Sequence, residues 1–296
     1  METIRLTTAQ AIVKWLLAQR TAVDGEEVGV FAGAFGIFGH GNVTCLAEAL
    51  QPVQDQLPTW RGHNEQSMAL AAVAYGKAMR GKRIMIATSS IGPGSTNMVT
   101  AAAAAHANRV PLLLFSGDTF QHRIVDPVLQ QVENFNDPTI TAADAFKPVT
   151  RYWDRISRPE QVVQSLPQAL AVMLDPATRG PVFLALPQDI QAEAYDYPAK
   201  FFEPRVHYSR RPGPDSRDVD AAAAALAGAR KPMIIAGGGV QYSGAVNELT
   251  EFAKATGIPV VETIAGRANM LAEHPLNIGP IGVTGSNSAN ATAEEA

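Results

Sequence analysis

Four short apolar runs, each set between segments of helical character, constrain the fold of this chain more than any other feature. They occupy residues 30–38, 83–88, 111–116 and 180–186. A strand covered on both faces loses its polar alternation and reads as a continuous apolar stretch, the mark of a parallel sheet packed between helices. The helices expected around them are residues 8–20, 42–50, 65–80, 95–107 and 159–174, with Gly81 standing where a helix C-cap would be. The class is therefore α/β, with a parallel-sheet domain over residues 1–187.

Between residues 188 and 215 the pattern changes. Pro198, Pro204, Pro212 and Pro214 and the pair Arg210-Arg211 interrupt any periodicity, which predicts a crossing between domains. Alternation resumes over 216–296, with a helix at 216–229, a strand at 231–236, a helix at 244–256 and a strand at 258–262. A small-residue helix begins near Ser286 and no strand follows it. The expectation is a second, central α/β domain that is truncated, and a chain that is the N-terminal fragment of a longer protein.

Composition excludes several classes. The formal charge is −4 with no basic cluster, which argues against nucleic acid as a partner. Cys45 is the only cysteine, so no disulfide within the chain and no cysteine-rich zinc site is expected. No apolar run approaches the roughly 20 residues that cross a bilayer, and the N-terminus lacks a signal-peptide pattern. The reading is a soluble, cytoplasmic protein with no membrane partner.

Three segments carry chemistry. Glu65 opens an alanine-rich helix, where the macrodipole favours a negative charge. Ala69, Ala71, Ala72 and Ala74 make that helix thin, and they are expected to bury the carboxylate against an apolar wall. Gly92-Pro93-Gly94 is a stiff turn whose glycines allow close backbone approach, with Ser95 or Thr96 expected to cap the helix that follows. It is either a tight turn only or a place where a flat ligand comes near. His40, in Gly39-His40-Gly41-Asn42, lies past the end of the first strand, where parallel sheets place ligands. A lone loop histidine is also commonly structural. Gly237-Gly238-Gly239 follows a strand but fails the dinucleotide fingerprint, because Tyr242 stands where the last glycine is required. A close-packed strand–helix turn is the better account.

His63-Asn64-Glu65-Gln66 and Ser90-Ile91-Gly92-Pro93-Gly94-Ser95-Thr96-Asn97 together resemble the pyrimidine-binding domain of thiamine-diphosphate enzymes of the acetolactate-synthase type. Residues 231–263 and 279–290 are similar to the central domain of the same enzymes. A narrower resemblance runs through Asp126-Pro127-Val128-Leu129-Gln130-Gln131, residues 146–155 and residues 188–195. It is to the ring-opening hydrolases of myo-inositol catabolism, which convert a trihydroxycyclohexane-1,2-dione to 5-deoxy-glucuronate.

The resemblance implies that Glu65 is catalytic and hydrogen-bonds N1′ of the cofactor's aminopyrimidine. It further implies that Gly92, Pro93, Asn97 and His40 lie at the cofactor. Thiamine diphosphate and Mg²⁺ are the implied cofactors. The family holds Mg²⁺ on a Gly-Asp-Gly motif in a C-terminal domain, and that motif does not occur here; Gly117-Asp118 is followed by Thr119. The Mg²⁺ ligands are thus expected in a domain outside this chain. The implied partner is a small cyclic diketone, and the implied assembly is a homo-oligomer, at least a dimer, with the cofactor site between subunits. A carboligase or decarboxylase acting on 2-oxo acids is the alternative on the same scaffold. A non-catalytic fragment is the alternative from another class.

Overall fold

Strand and helix alternate through the first part of the chain as the apolar runs require. A computed structural model describes residues 2–125, 128–208 and 211–296. Two compact units, Met1–Arg210 and Arg211–Ala296, make up the chain. Asp126 and Pro127, part of the narrower sequence resemblance, and Ser209 and Arg210, part of the expected crossing, lie outside the described residues.

In the first unit β1 (Thr3–Thr7) leads into α1 (Thr8–Ala18), whose start is fixed by a capping box between Thr7 and Gln10. Then follow β2 (Gln19–Val23), β3 (Glu26–Gly29) and β4 (Phe31–Ile37). The expected helix at 42–50 opens as a π-helical turn, Val43–Ala47, before the short α2 (Glu48–Leu50). After β5 (Thr59–Arg61) come α3 (Glu65–Ala78), β6 (Ile84–Ser89), α4 (Pro93–Thr96), α5 (Val99–Asn108) and β7 (Leu112–Asp118). The unit closes with β8 (Tyr152–Arg155), α6 (Val162–Leu174), β9 (Pro181–Pro187), α7 (Gln188–Ala192), β10 (Ala194–Pro198) and β11 (Arg205–His207).

Six of these strands form one parallel sheet in the order β5-β4-β6-β7-β9-β8. Every residue of β6, β7 and β9 is buried, as a sheet covered on both faces demands. Alternate side chains serve two cores. Ile84, Ile86, Leu113, Phe115, Val182 and Leu184 face α1 and α6, while Met85, Ala87, Leu112, Leu114 and Phe183 face the alanine surfaces of α3 and α5. On that second face Phe146 stacks on Phe183, with ring centroids 3.9 Å apart.

Several expectations require correction. The helix expected at 95–107 is two helices, α4 and α5, and neither Ser95 nor Thr96 caps α5. Ser95 Oγ instead donates to Ser116 Oγ (2.9 Å), and Thr96 Oγ1 donates to the Pro93 carbonyl (3.2 Å). Ala69 and Ala72 are buried, but Ala71 and Ala74 are exposed. Residues 188–207 are not featureless: α7 packs on the core through Ile190, β10 pairs antiparallel with β1, and β11 pairs parallel with β2.

The second unit holds α8 (Ser216–Gly228), β12 (Ile234–Ala236), α9 (Gly238–Ser243), α10 (Val246–Thr256), β13 (Val260–Glu262), β14 (Asn277–Pro280) and α11 (Asn287–Glu295). Its strands are parallel in the order β12-β13-β14. A Cβ at Gly238 would stand 3.1 Å from the Ala265 carbonyl oxygen, so this glycine serves a close-packed turn.

Candidate active site

The order of the six-stranded sheet singles out one place on the first unit. From β4 the chain moves outward to β5 on one side, while from β6 it moves to β7 on the other. The carboxyl ends of β4 and β6 therefore form a topological switch point, where the diverging connections leave a crevice. A cleft of about 580 Å³ opens there, walled by Phe38 and Gly39 after β4, Ser90 and Ile91 after β6, and Glu65, Pro93 and Asn97.

Glu65 reaches the cleft because α3 begins at that residue. Asn64 ends the extended backbone and caps the helix, its Oδ1 accepting from the Ser67 amide (2.9 Å), which puts Glu65 in the first turn. The side chain is half-buried rather than sealed against an apolar wall. Asn97 Nδ2 donates to Glu65 Oε2 at 2.7 Å, which leaves the other carboxylate oxygen available to a ligand.

The Gly-Pro-Gly turn explains how the second wall comes so near. Gly92 has φ +61° and ψ −118°, a backbone conformation open to glycine. A Cβ on it would overlap the Gln130 carbonyl oxygen, so Gln130 packs directly over the turn. A Cβ at Gly94 would stand 3.4 Å from Glu65 Oε1, and one at Gly39 would collide with the Ser90 hydroxyl. Backbone thus lines the cleft where side chains would otherwise fill it.

Of the residues singled out from sequence, Glu65, Pro93 and Asn97 meet in the cleft, and Gly92 forms the turn behind them. His40 is half-buried beside the lining residue Gly39, and its Nε2 is buried without a hydrogen-bond partner among the described residues. Its loop is held in place by polar contacts. Asn42 Nδ2 donates to Thr88 Oγ1 (3.0 Å) and the Ser89 carbonyl (2.7 Å), and Gln191 Nε2 donates to the Gly41 carbonyl (2.7 Å).

Sequence reasoning gave no role to Gln130, which lines the cleft, nor to Ser90, whose buried hydroxyl has no partner among the described residues. The Gln130-Gln131 pair was the one available signal for the first. For Ser90 the signal was its place at the head of the Ser90–Asn97 stretch.

The fit to a flat, polar-edged cofactor can be judged from these groups. An aminopyrimidine offers a ring nitrogen and an exocyclic amine. The cleft offers the free Glu65 oxygen, an unsatisfied Ser90 hydroxyl and glycine backbone for close approach, so the donor and acceptor set matches. Among the described residues no three His, Cys, Asp or Glu side chains are grouped as metal ligands. No helix among them is long and apolar enough to cross a membrane.

Comparison with known proteins identifies the domains that the chain carries. Residues 29–137 match the thiamine pyrophosphate enzyme N-terminal TPP-binding domain, and residues 219–296 match the thiamine pyrophosphate enzyme central domain. The chain is 48% identical over 296 residues to a 3D-(3,5/4)-trihydroxycyclohexane-1,2-dione hydrolase of Clostridium tetani, and equally to one of Geobacillus thermodenitrificans. A protein of the same name in Shouchella clausii is 48% identical over 295 residues. Each alignment covers 100% of this chain and 46% of the relative, so the chain spans about half the length of the curated relatives it matches. The cleft at the switch point lies in the matched N-terminal domain, and the chain belongs to the thiamine pyrophosphate enzymes, of which it carries the N-terminal TPP-binding and central domains.

Proposed function

We propose that the protein cleaves a C–C bond of 3D-(3,5/4)-trihydroxycyclohexane-1,2-dione with thiamine diphosphate, opening the ring to 5-deoxy-glucuronate in myo-inositol catabolism. The observation that carries the reading is the Glu65 carboxylate, fixed by Asn97 in a glycine-lined cleft at the sheet's switch point. The choice of substrate is supported by 48% identity along the whole chain to hydrolases named for that dione.

Thiamine diphosphate, when bound, supplies the nucleophilic carbon and the electron sink that ketone C–C cleavage needs. The protein's own part is positioning and proton management. The free oxygen of Glu65 would accept a hydrogen bond from the pyrimidine ring edge, and Asn97 keeps the carboxylate from rotating away. Ser90 and the backbone at Gly39 and Gly94 line the cleft that would hold the ring, and Pro93 stiffens the turn between them. Pre-organised contacts of this kind need no rearrangement as charge develops. His40 belongs to the loop that bounds the cleft and is assigned to the cofactor's surroundings.

Mg²⁺ is assigned to the diphosphate, with ligands in the part of the relatives' length that this chain does not span. The same reading makes the protein a homo-oligomer with the cleft completed by a second subunit. The exposed Leu70, Ala71 and Ala74 on α3, the helix that Glu65 opens, support that assembly.

The test is to supply the full-length protein, of which this chain is expected to be the N-terminal part, with thiamine diphosphate and Mg²⁺ and to assay the cyclic dione and pyruvate side by side. Consumption of the dione is the expected result. Vigorous pyruvate turnover without dione cleavage would assign the protein to the 2-oxo-acid carboligases and decarboxylases instead.

A further inference from the structure

Gln130 sits over Gly92 at the mouth of the cleft, yet the backbone that carries it belongs to no helix or strand among the described residues between Asp118 and Ala142. Gln130 and Val132 both have positive φ, 60° and 55°, a costly conformation for a residue with a Cβ and most of all for a β-branched one. Such geometry persists only where the surroundings impose it. From Val128 to Ile140 the described hydrogen bonds are local, running to Val128, Glu133, Asn134 and Asp137 within the segment, with Arg155 as the exception.

Arg155 lies on β8, the edge strand of the sheet, and its guanidinium is spread over both sides of this region. Nε donates to Asp118 Oδ2 (2.7 Å) at the end of β7. Nη2 donates to Thr141 Oγ1 (2.9 Å) and Asp144 Oδ2 (2.7 Å), and Nη1 reaches the Thr139 carbonyl (3.4 Å). Asp144 in turn accepts from the Thr141 amide (2.7 Å), and the guanidinium stands 5.1 Å from the Trp153 ring. Asp118 is 1% exposed, so this is a desolvated ion pair and not a surface one.

We propose that Arg155 is a positioning residue for the candidate active site: by tying residues 139–144 to the end of β7, it sets segment 128–141 so that Gln130 stands over Gly92 at the cleft. This rests on the functional reading only in taking the cleft as the reaction site. The planar fork is what the task requires, because a lysine ammonium could pair with Asp118 but could not also span Thr141 and Asp144.

The experiment uses the full protein with Arg155→Lys, and with Arg155→Met combined with Asp118→Asn so that no charge is left buried alone. Amide hydrogen exchange is followed by segment, and kcat and KM are measured on the dione. The expected result is exchange in 128–141 faster by about tenfold or more, with α3 and β6 unchanged, and a rise in KM larger than the fall in kcat, in keeping with the loss of charged hydrogen bonds. Unchanged exchange in 128–141 would overturn the proposal. So would loss of protection throughout the unit in both variants, which would make the cluster a support of the fold alone. If the dione is not a substrate but 128–141 is released, the functional reading fails and the positioning role stands. If the dione is turned over and 128–141 is unaffected, the functional reading stands and the positioning role fails.

Discussion

Asn97 Nδ2 donates a 2.7 Å hydrogen bond to Glu65 Oε2, joining two residues that stand 32 apart in the chain. Asn97 follows the Gly-Pro-Gly turn after β6, and Glu65 opens α3 after β5. One bond therefore sets the direction of the carboxylate across the switch-point cleft.

Removing that donor loosens Glu65 without touching the core. Hydrogen bonds to charged groups contribute about 1.5–3 kcal/mol, so Asn97→Ala is expected to lower kcat/KM roughly 10- to 100-fold. Steady-state kinetics beside a thermal melt separates this from unfolding. Asn97→Asp should be worse than Asn97→Ala, because it sets a second carboxylate against the first.

Gly92 is the backbone counterpart. Its φ of +61° and the Gln130 carbonyl above it leave no room for a Cβ. Gly92→Ala should cost on the order of 1–3 kcal/mol from backbone strain alone, and it should also displace Gln130. A lower melting temperature together with faster proteolysis near Gln130 is the expected pair of results.

Phe146 tests the packing behind the site. It is 0% exposed and stacks on Phe183, so Phe146→Ala removes a ring from a core closed on every side. Denaturant unfolding should show a loss of about 3–5 kcal/mol. Phe146→Leu, which refills most of the volume, should cost far less.

These residues also show how far the chain could be read in advance. The four central strands were legible because burial on both faces turns them into apolar runs, and Glu65 was legible because the alanine run behind it marks a helix that it opens. The edge strands β5 (Thr-Trp-Arg) and β8 (Tyr-Trp-Asp-Arg) were not, since short strands with a half-exposed face carry little pattern. The pairing of β1 with β10 spans most of the unit, and no local signal announces it. The Arg155 cluster stayed hidden for the same reason: Asp118, Thr141 and Asp144 are brought together by the sheet, not by spacing. The break between α4 and α5 falls at Asn97 and Met98, residues that carry no turn signature in the sequence.

His207 gives a dependence on pH. Burial, and then the charge of Arg205, push its imidazole below the ordinary histidine value, while its Nε2 pairs with Gln19 Oε1 at 2.9 Å. A folded pKa below the unfolded one means that the unfolded chain binds the proton more readily. Stability from this group is therefore fully present above about pH 6.5 and is lost as pH falls through the lowered folded value. Denaturant midpoints measured from pH 8 downward should decline in that window, and His207→Gln should flatten the decline.

The proposed function stands or falls on Glu65 as the catalytic carboxylate of a thiamine-diphosphate reaction on the cyclic dione. Steady-state turnover of the dione by Glu65→Gln in the full-length protein, with saturating thiamine diphosphate and Mg²⁺, is to be measured beside the unsubstituted full-length protein. A loss of about 10²- to 10⁴-fold in kcat with the fold intact is expected. Turnover equal to that of the unsubstituted protein would remove Glu65 from the chemistry and the proposed function with it.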